Sequence, residues 1–111
     1  MVVFRTVTEA FSMALIKVKI PPFCTGQACD RPCDVTVFVN NRCSLYCRSG
    51  SVAVFEAEST CIASFLIRDA CLHESLPYFQ DLVITGILRP GKQYEILSTD
   101  AGFEISQTLS I

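Results

Sequence analysis

Valine, isoleucine and other apolar side chains return at every second position through much of this 111-residue chain. That period restricts the chain to folds built from half-buried β-strands. From Ala14 to Ile20, the residues Ile16, Val18 and Ile20 share one face while Lys17 and Lys19 take the other. Asp34 to Asn40 places Val35, Val37 and Val39 together, and Asn40-Asn41 supplies two residues that tolerate left-handed backbone, so a tight hairpin into Cys43-Ser-Leu-Tyr-Cys47 is expected. Ser51 to Glu58 ends in alternation after a Ser49-Gly50-Ser51 turn, with Phe55 and Ala57 opposed to Glu56 and Glu58.

Thr60 to Phe79 fits two periods. Ile62, Phe65, Leu66 and Ala70 form a helical stripe, whereas Cys61 to Ile67 also reads as a buried strand. The stripe ends where His73 and Glu74 take its next positions, so the expectation is a strand to about Ile67 and a short helical or irregular segment near 68–76, closed before Pro77. Asp81 to Leu88, Tyr94 to Ser98 and Gly102 to Ser110 are expected as the three strands of a meander, turning at Pro90-Gly91 and at Thr99-Asp-Ala-Gly102. With Val2 to Val7 added, about seven or eight short strands separated by turns every eight to twelve residues are the pattern of an all-β antiparallel sandwich. A length of 111 residues has room for one core, so a single domain spanning 1–111 is expected.

Two resemblances bear on that sandwich. Leu88-Arg-Pro90-Gly-Lys-Gln-Tyr94, preceded by Ile84-Thr-Gly, resembles the corner between strands in fibronectin type III domains, where Leu-x-Pro-x-x-x-Tyr precedes the penultimate strand. The resemblance implies an immunoglobulin-like or fibronectin-like fold and makes Tyr94 a structural residue whose hydroxyl bonds back to the chain. It covers about ten residues, and the tryptophan typical of an early strand has no counterpart, because the chain contains no Trp. Ile16-Lys-Val-Lys-Ile-Pro-Pro-Phe-Cys24 leading to Cys29, with Gly91-Lys-Gln-Tyr-Glu-Ile, is similar to the Cys-bounded loop and Gly-x-x-Tyr strand of ML-type lipid-binding sandwiches. That likeness implies a hydrophobic ligand held between the sheets. The chain is short for the ML family and lacks its C-terminal cysteine.

Composition excludes several function classes. Nine Lys and Arg against eleven Asp and Glu give a net charge of −2, with no basic cluster of the kind that neutralises phosphates, so nucleic acid is not an expected partner. No run approaches 18 uncharged apolar residues, which excludes a membrane-spanning helix. The opening residues lack a basic start and a small-residue cleavage site and carry Arg5 and Glu9 within their apolar run, so they are not read as a signal peptide; a secreted protein would have lost its leader already. Half of the residues are apolar or Cys, eight are Phe, and the mean hydropathy is +0.41. Such a surplus fits a well-filled sandwich, and equally an apolar face covered by a partner, a second copy or a ligand.

Seven cysteines stand at positions 24, 29, 33, 43, 47, 61 and 71. In an oxidising compartment, six of Cys24, Cys29, Cys33, Cys43, Cys47, Cys61 and Cys71 pair and one is left over, with connectivity open. Cys43 and Cys47 would share one face of a regular strand about 13 Å apart, too far to bond each other. A second reading is zinc held by Cys29, Cys33, Cys43 and Cys47, with His73 as a possible fifth ligand, although each pair has three intervening residues where knuckles have two. A third is that the thiols are reduced core residues of a cytoplasmic or viral protein. The sole catalytic arrangement is Cys71-Leu-His73-Glu74, a thiol near a base, and a surface His73 beside a disulfide-bonded Cys71 is the simpler account. Glu56, Glu58 and Asp69 are scattered acids expected in water, and no phosphate loop or serine triad motif is present.

These features lead to an expectation of a secreted or host-interaction module, stapled by disulfides, that binds a protein through exposed strands and the Pro21 to Pro32 loop. No catalytic residues and no cofactor are expected. The alternatives are a sandwich that holds lipid or another small hydrophobic ligand, and an oligomeric structural protein.

Overall fold

The computed structural model describes residues 14–22, 32–71 and 79–108. Eight strands, β1 (Ala14–Lys19), β2 (Asp34–Val39), β3 (Arg42–Arg48), β4 (Val52–Ala57), β5 (Cys61–Cys71), β6 (Phe79–Leu88), β7 (Gln93–Thr99) and β8 (Gly102–Gln107), form two four-stranded sheets ordered β4-β1-β7-β8 and β3-β2-β5-β6. The described residues are thus all-β and arranged as a sandwich, and none of them is helical. The expected opening strand, Val2 to Val7, lies outside the described residues.

The alternations decide which side chains face inward. Ile16 and Val18 of β1, Val35 and Val37 of β2, Ala53 and Phe55 of β4, Ala63, Phe65 and Ile67 of β5, Ile84 and Leu88 of β6 and Tyr94 and Ile96 of β7 are buried in one shared core. Phe65, with no exposed surface, sits on a central strand between its neighbours β2 and β6. No buried side-chain nitrogen or oxygen among the described residues lacks a hydrogen-bond partner, as a dry core requires.

Turn chemistry accounts for the connections. Asn40 and Asn41 both have positive φ, 51° and 66°, so β2 and β3 are joined by the two-residue turn that matches strand twist. Asn40 also fixes the hairpin tip to β5, donating its N–H to the Ile62 carbonyl at 2.8 Å and accepting the Ile62 N–H on Oδ1 at 3.1 Å. Between sheets, Arg89–Lys92 turns the chain from β6 to β7, and the buried Tyr94 accepts the Arg89 N–H on its hydroxyl at 2.8 Å.

Three expectations are corrected. The meander of the last three strands is not formed, because this corner carries the chain to the other sheet, and only β7 and β8 make a hairpin. The segment expected to turn helical or irregular from 68 continues as β5 to Cys71; the irregularity is a break in register between Ile67 and Ala70, with Asp69 at a φ of 54° and its N–H held by Asp81 Oδ1 at 3.0 Å. Residues 72–76 of that segment lie outside the described residues. The sandwich is not wholly antiparallel either, since β1 and β7 pair in parallel across Lys17 to Lys19.

Candidate functional site

Cys24, Cys29, His73 and Glu74 lie outside the described residues, as does residues 23–31 of the Pro21 to Pro32 loop. Cys71 contributes its backbone to the end of β5. Cys33 is buried, donates its N–H to Ser49 Oγ at 2.8 Å, accepts the Ser49 N–H on its carbonyl at 2.9 Å, and directs Sγ to the Asp69 carbonyl at 3.7 Å.

Cys43, Cys47 and Cys61 are free thiols, which corrects the expectation that six of the seven cysteines pair. The geometry gives the reason. A register shift opposite the Val37–Phe38 step adds Ser44 to β3, so that Cys47 stands opposite inward-facing Val35 while Cys43 stands opposite outward-facing Phe38. The two therefore occupy opposite faces instead of the shared face a regular strand would give. Cys61 points into the core, but lies six residues along β5 from Ile67, the residue level with Val35 and Cys47, or about 20 Å away at normal rise. No group of three or more metal-ligating side chains occurs among the described residues, so Cys33, Cys43 and Cys47 do not form the core of a zinc site. Burial pushes the Cys61 thiol up, and burial likewise raises Cys47 against a hydrogen bond from Ser51 that lowers it. Both are held as protonated thiols near neutral pH, the wrong form for a nucleophile.

A cleft of about 450 Å³ opens at one end of the sandwich, between Val39 and Asn40 on one side and Glu56 to Ser59 and Cys61 on the other. Its glutamates and its width to solvent suit water better than an acyl chain.

The feature that sets this molecule apart is the outer face of the β3-β2-β5-β6 sheet. The registers place its outward side chains in rows. Tyr46, Thr36, Leu66 and Val83 form one, Cys43, Phe38, Ser64 and Thr85 a second, and Ile62 and Ile87 continue into a third beside Asn40. Tyr46 is 77% exposed, Ile87 71%, Val83 66% and Ile62 52%, on a surface where side chains of this size would ordinarily seek cover. Four strands at about 4.8 Å spacing spread these rows over roughly 14 Å. The centre carries no charge, and its polar hydroxyls, Ser64 and Thr85, bond each other at 3.0 Å.

Charges bound the patch instead. Arg48 and Asp34 lie 3.9 Å apart at one end, and Arg68 follows on β5. Tyr46 sits at the border of the two zones. A hydrogen bond with the Cys43 thiol and the charge that thiol acquires hold its phenol above the ordinary range, while Arg68 acts in the opposite direction. The patch thus has an apolar interior with charges at one end. The other sheet differs: its outer face interleaves Leu15, Val52 and Val54 with Lys17, Lys19, Glu56, Glu95 and Glu104, and Lys19 approaches Glu95 to 4.0 Å.

No motif in the sequence singles out this face. The usable signal was a failure of alternation: in Cys61-Ile-Ala-Ser-Phe-Leu-Ile and Leu82-Val-Ile-Thr-Gly-Ile-Leu both parities are apolar, which marks strands with two apolar faces. No protein-family model, no curated protein and no solved structure matches the chain.

Proposed function

We propose that this protein is a non-catalytic binding module that docks another protein on the outer face of the β3-β2-β5-β6 sheet. The observation that carries the reading is the uncharged patch of Tyr46, Phe38, Leu66, Ile62, Val83 and Ile87, bounded at one end by Arg48, Asp34 and Arg68. Tyrosine is enriched among the residues that carry most of the binding energy of an interface, so Tyr46, the most exposed apolar side chain of the patch, is the expected anchor. The lipid-binding alternative has less support, because the space between the sheets is filled by core side chains and the cleft at the sandwich end is open and acidic. The finer fold assignment, an immunoglobulin-like or fibronectin-like sandwich, is supported by the Leu88-to-Tyr94 corner and its hydroxyl bond to Arg89.

The test compares two faces of one fold. Immobilised wild-type protein, Tyr46→Glu and Lys17→Glu are exposed to the same extract, and captured proteins are quantified. A partner retained by wild type and Lys17→Glu but lost by folded Tyr46→Glu supports the reading. A partner lost only with Lys17→Glu, or no specific partner at all, contradicts it.

A further inference from the structure

The far edge of β6 has no strand paired with it among the described residues, and it differs from the other three sheet edges. Edge β3 carries Arg42, Arg48 and the bulge at Ser44; edge β4 carries Glu56; edge β8 is six residues long and carries Glu104. These are the devices by which exposed edges are kept from pairing with other chains. β6 is ten residues long, and from Leu82 to Leu88 it has no charge, no proline and no bulge, with Val83 and Ile87 standing 66% and 71% exposed beside the open backbone.

Its sequence is also complementary to itself. In an antiparallel pair formed by two copies of β6 about a two-fold axis at Thr85, each residue faces the one equally far from Thr85 on the copy. Thr85 meets Thr85, Val83 meets Ile87, Leu82 meets Leu88, and Asp81 meets Arg89 at both ends. Outward residues stay with outward residues, so the apolar patch of each copy continues into the other. Moving the axis to Ile84 or Gly86 sets Asp81 against Ile87 or Gly91, and an axis midway between residues would oppose outward side chains to inward ones. Asp81 and Arg89 are both exposed; Asp81 Oδ1 accepts the Asp69 N–H at 3.0 Å, which leaves Oδ2 to meet the guanidinium of Arg89, the first residue beyond β6.

We propose that the chain forms a two-fold dimer by antiparallel β6–β6 pairing centred on Thr85, joining two four-stranded sheets into one of eight strands. β-branched and Thr–Thr cross-strand pairs and opposite charges directly across from each other are each stabilising, and the open amides and carbonyls of both edges are satisfied at once. The dimer shares Val83 and Ile87 with the proposed docking face, but it rests on the strand edge and not on that docking role.

Sedimentation velocity on the full chain, in a Cys43→Ser background to prevent adventitious bridging, measures the assembly. Twice the chain mass of 12.3 kDa is expected, with Arg89→Asp weakening the dimer at least about tenfold and the swap of Asp81→Arg with Arg89→Asp restoring it. Under oxidised glutathione, Thr85→Cys should give a disulfide-linked dimer, since paired Cα atoms approach to about 5 Å, whereas Val83→Cys should not. Tyr46→Glu should leave the dimer intact, which separates this proposal from the docking reading. A monomer at every concentration overturns it, including a monomer whose β6 amides resist hydrogen exchange because another segment of the chain covers them. A dimer indifferent to Arg89→Asp, or cross-linked through Val83→Cys in place of Thr85→Cys, overturns it as well.

Discussion

Tyr94 concentrates more structural consequence in one atom than any other described side chain. Its hydroxyl accepts the Arg89 N–H at the point where the chain leaves one sheet for the other. Tyr94→Phe leaves that amide without its partner, and the expected loss is about 1–3 kcal/mol of stability by urea denaturation. The cysteines divide by exposure. Cys43 should react with a thiol reagent in the native state, whereas Cys47 and Cys61 should wait for unfolding, and the denatured protein should show at least the three thiols of Cys43, Cys47 and Cys61 where six paired cysteines would leave one. Burial raises the Cys47 and Cys61 thiols, so the folded state keeps their protons to higher pH than the unfolded chain does. Their contribution is complete below the ordinary thiol range, about pH 8.5, and is lost as pH rises through the folded values. Stability measured across that range should fall, and Cys61→Ala should make the fall shallower. The density of cysteines was plain in the sequence, but their pairing was not, because one bulge residue, Ser44, reverses the face on which Cys43 stands.

Strands and turns were legible wherever one local rule decided the outcome. The β1 alternation and the Asn40-Asn41 turn needed only period and backbone tolerance, and both occur where the residues place them. The course of the last three strands needed more, since nothing in the spacing of apolar residues tells whether Pro90-Gly91 folds a strand beside its predecessor or carries it across the core. Likewise β5 runs past Ile67 because β6 pairs with it to Cys71, a partner that no window of the sequence contains. Packing between sheets supplies an element-scale prediction. A Cβ on Gly86 of β6 would lie 3.1 Å from Ile105 Cδ1 and 3.3 Å from Ile105 Cβ on β8. Gly86→Ala should therefore force these strands apart at a cost of about 1–3 kcal/mol, and Ile105→Val in the same chain should recover part of it in thermal unfolding.

At the scale of the whole molecule, the two outer faces are unlike. One mixes lysines and glutamates with aliphatic residues, and the other gathers Tyr46, Ile62, Val83 and Ile87 around an uncharged centre. The surplus of apolar residues announced that something beyond a core needed cover, yet it could not say which face, because a doubly apolar strand reads the same whether its second face meets a sheet, a ligand or another protein. The arrangement in rows identifies the face. A photoreactive benzoylphenylalanine placed at Tyr46, with Val54 on the opposite sheet as the control position, tests the docking face most directly. The account predicts covalent adducts with another protein from position 46 and few from position 54; adducts confined to position 54, or none from either, would contradict it.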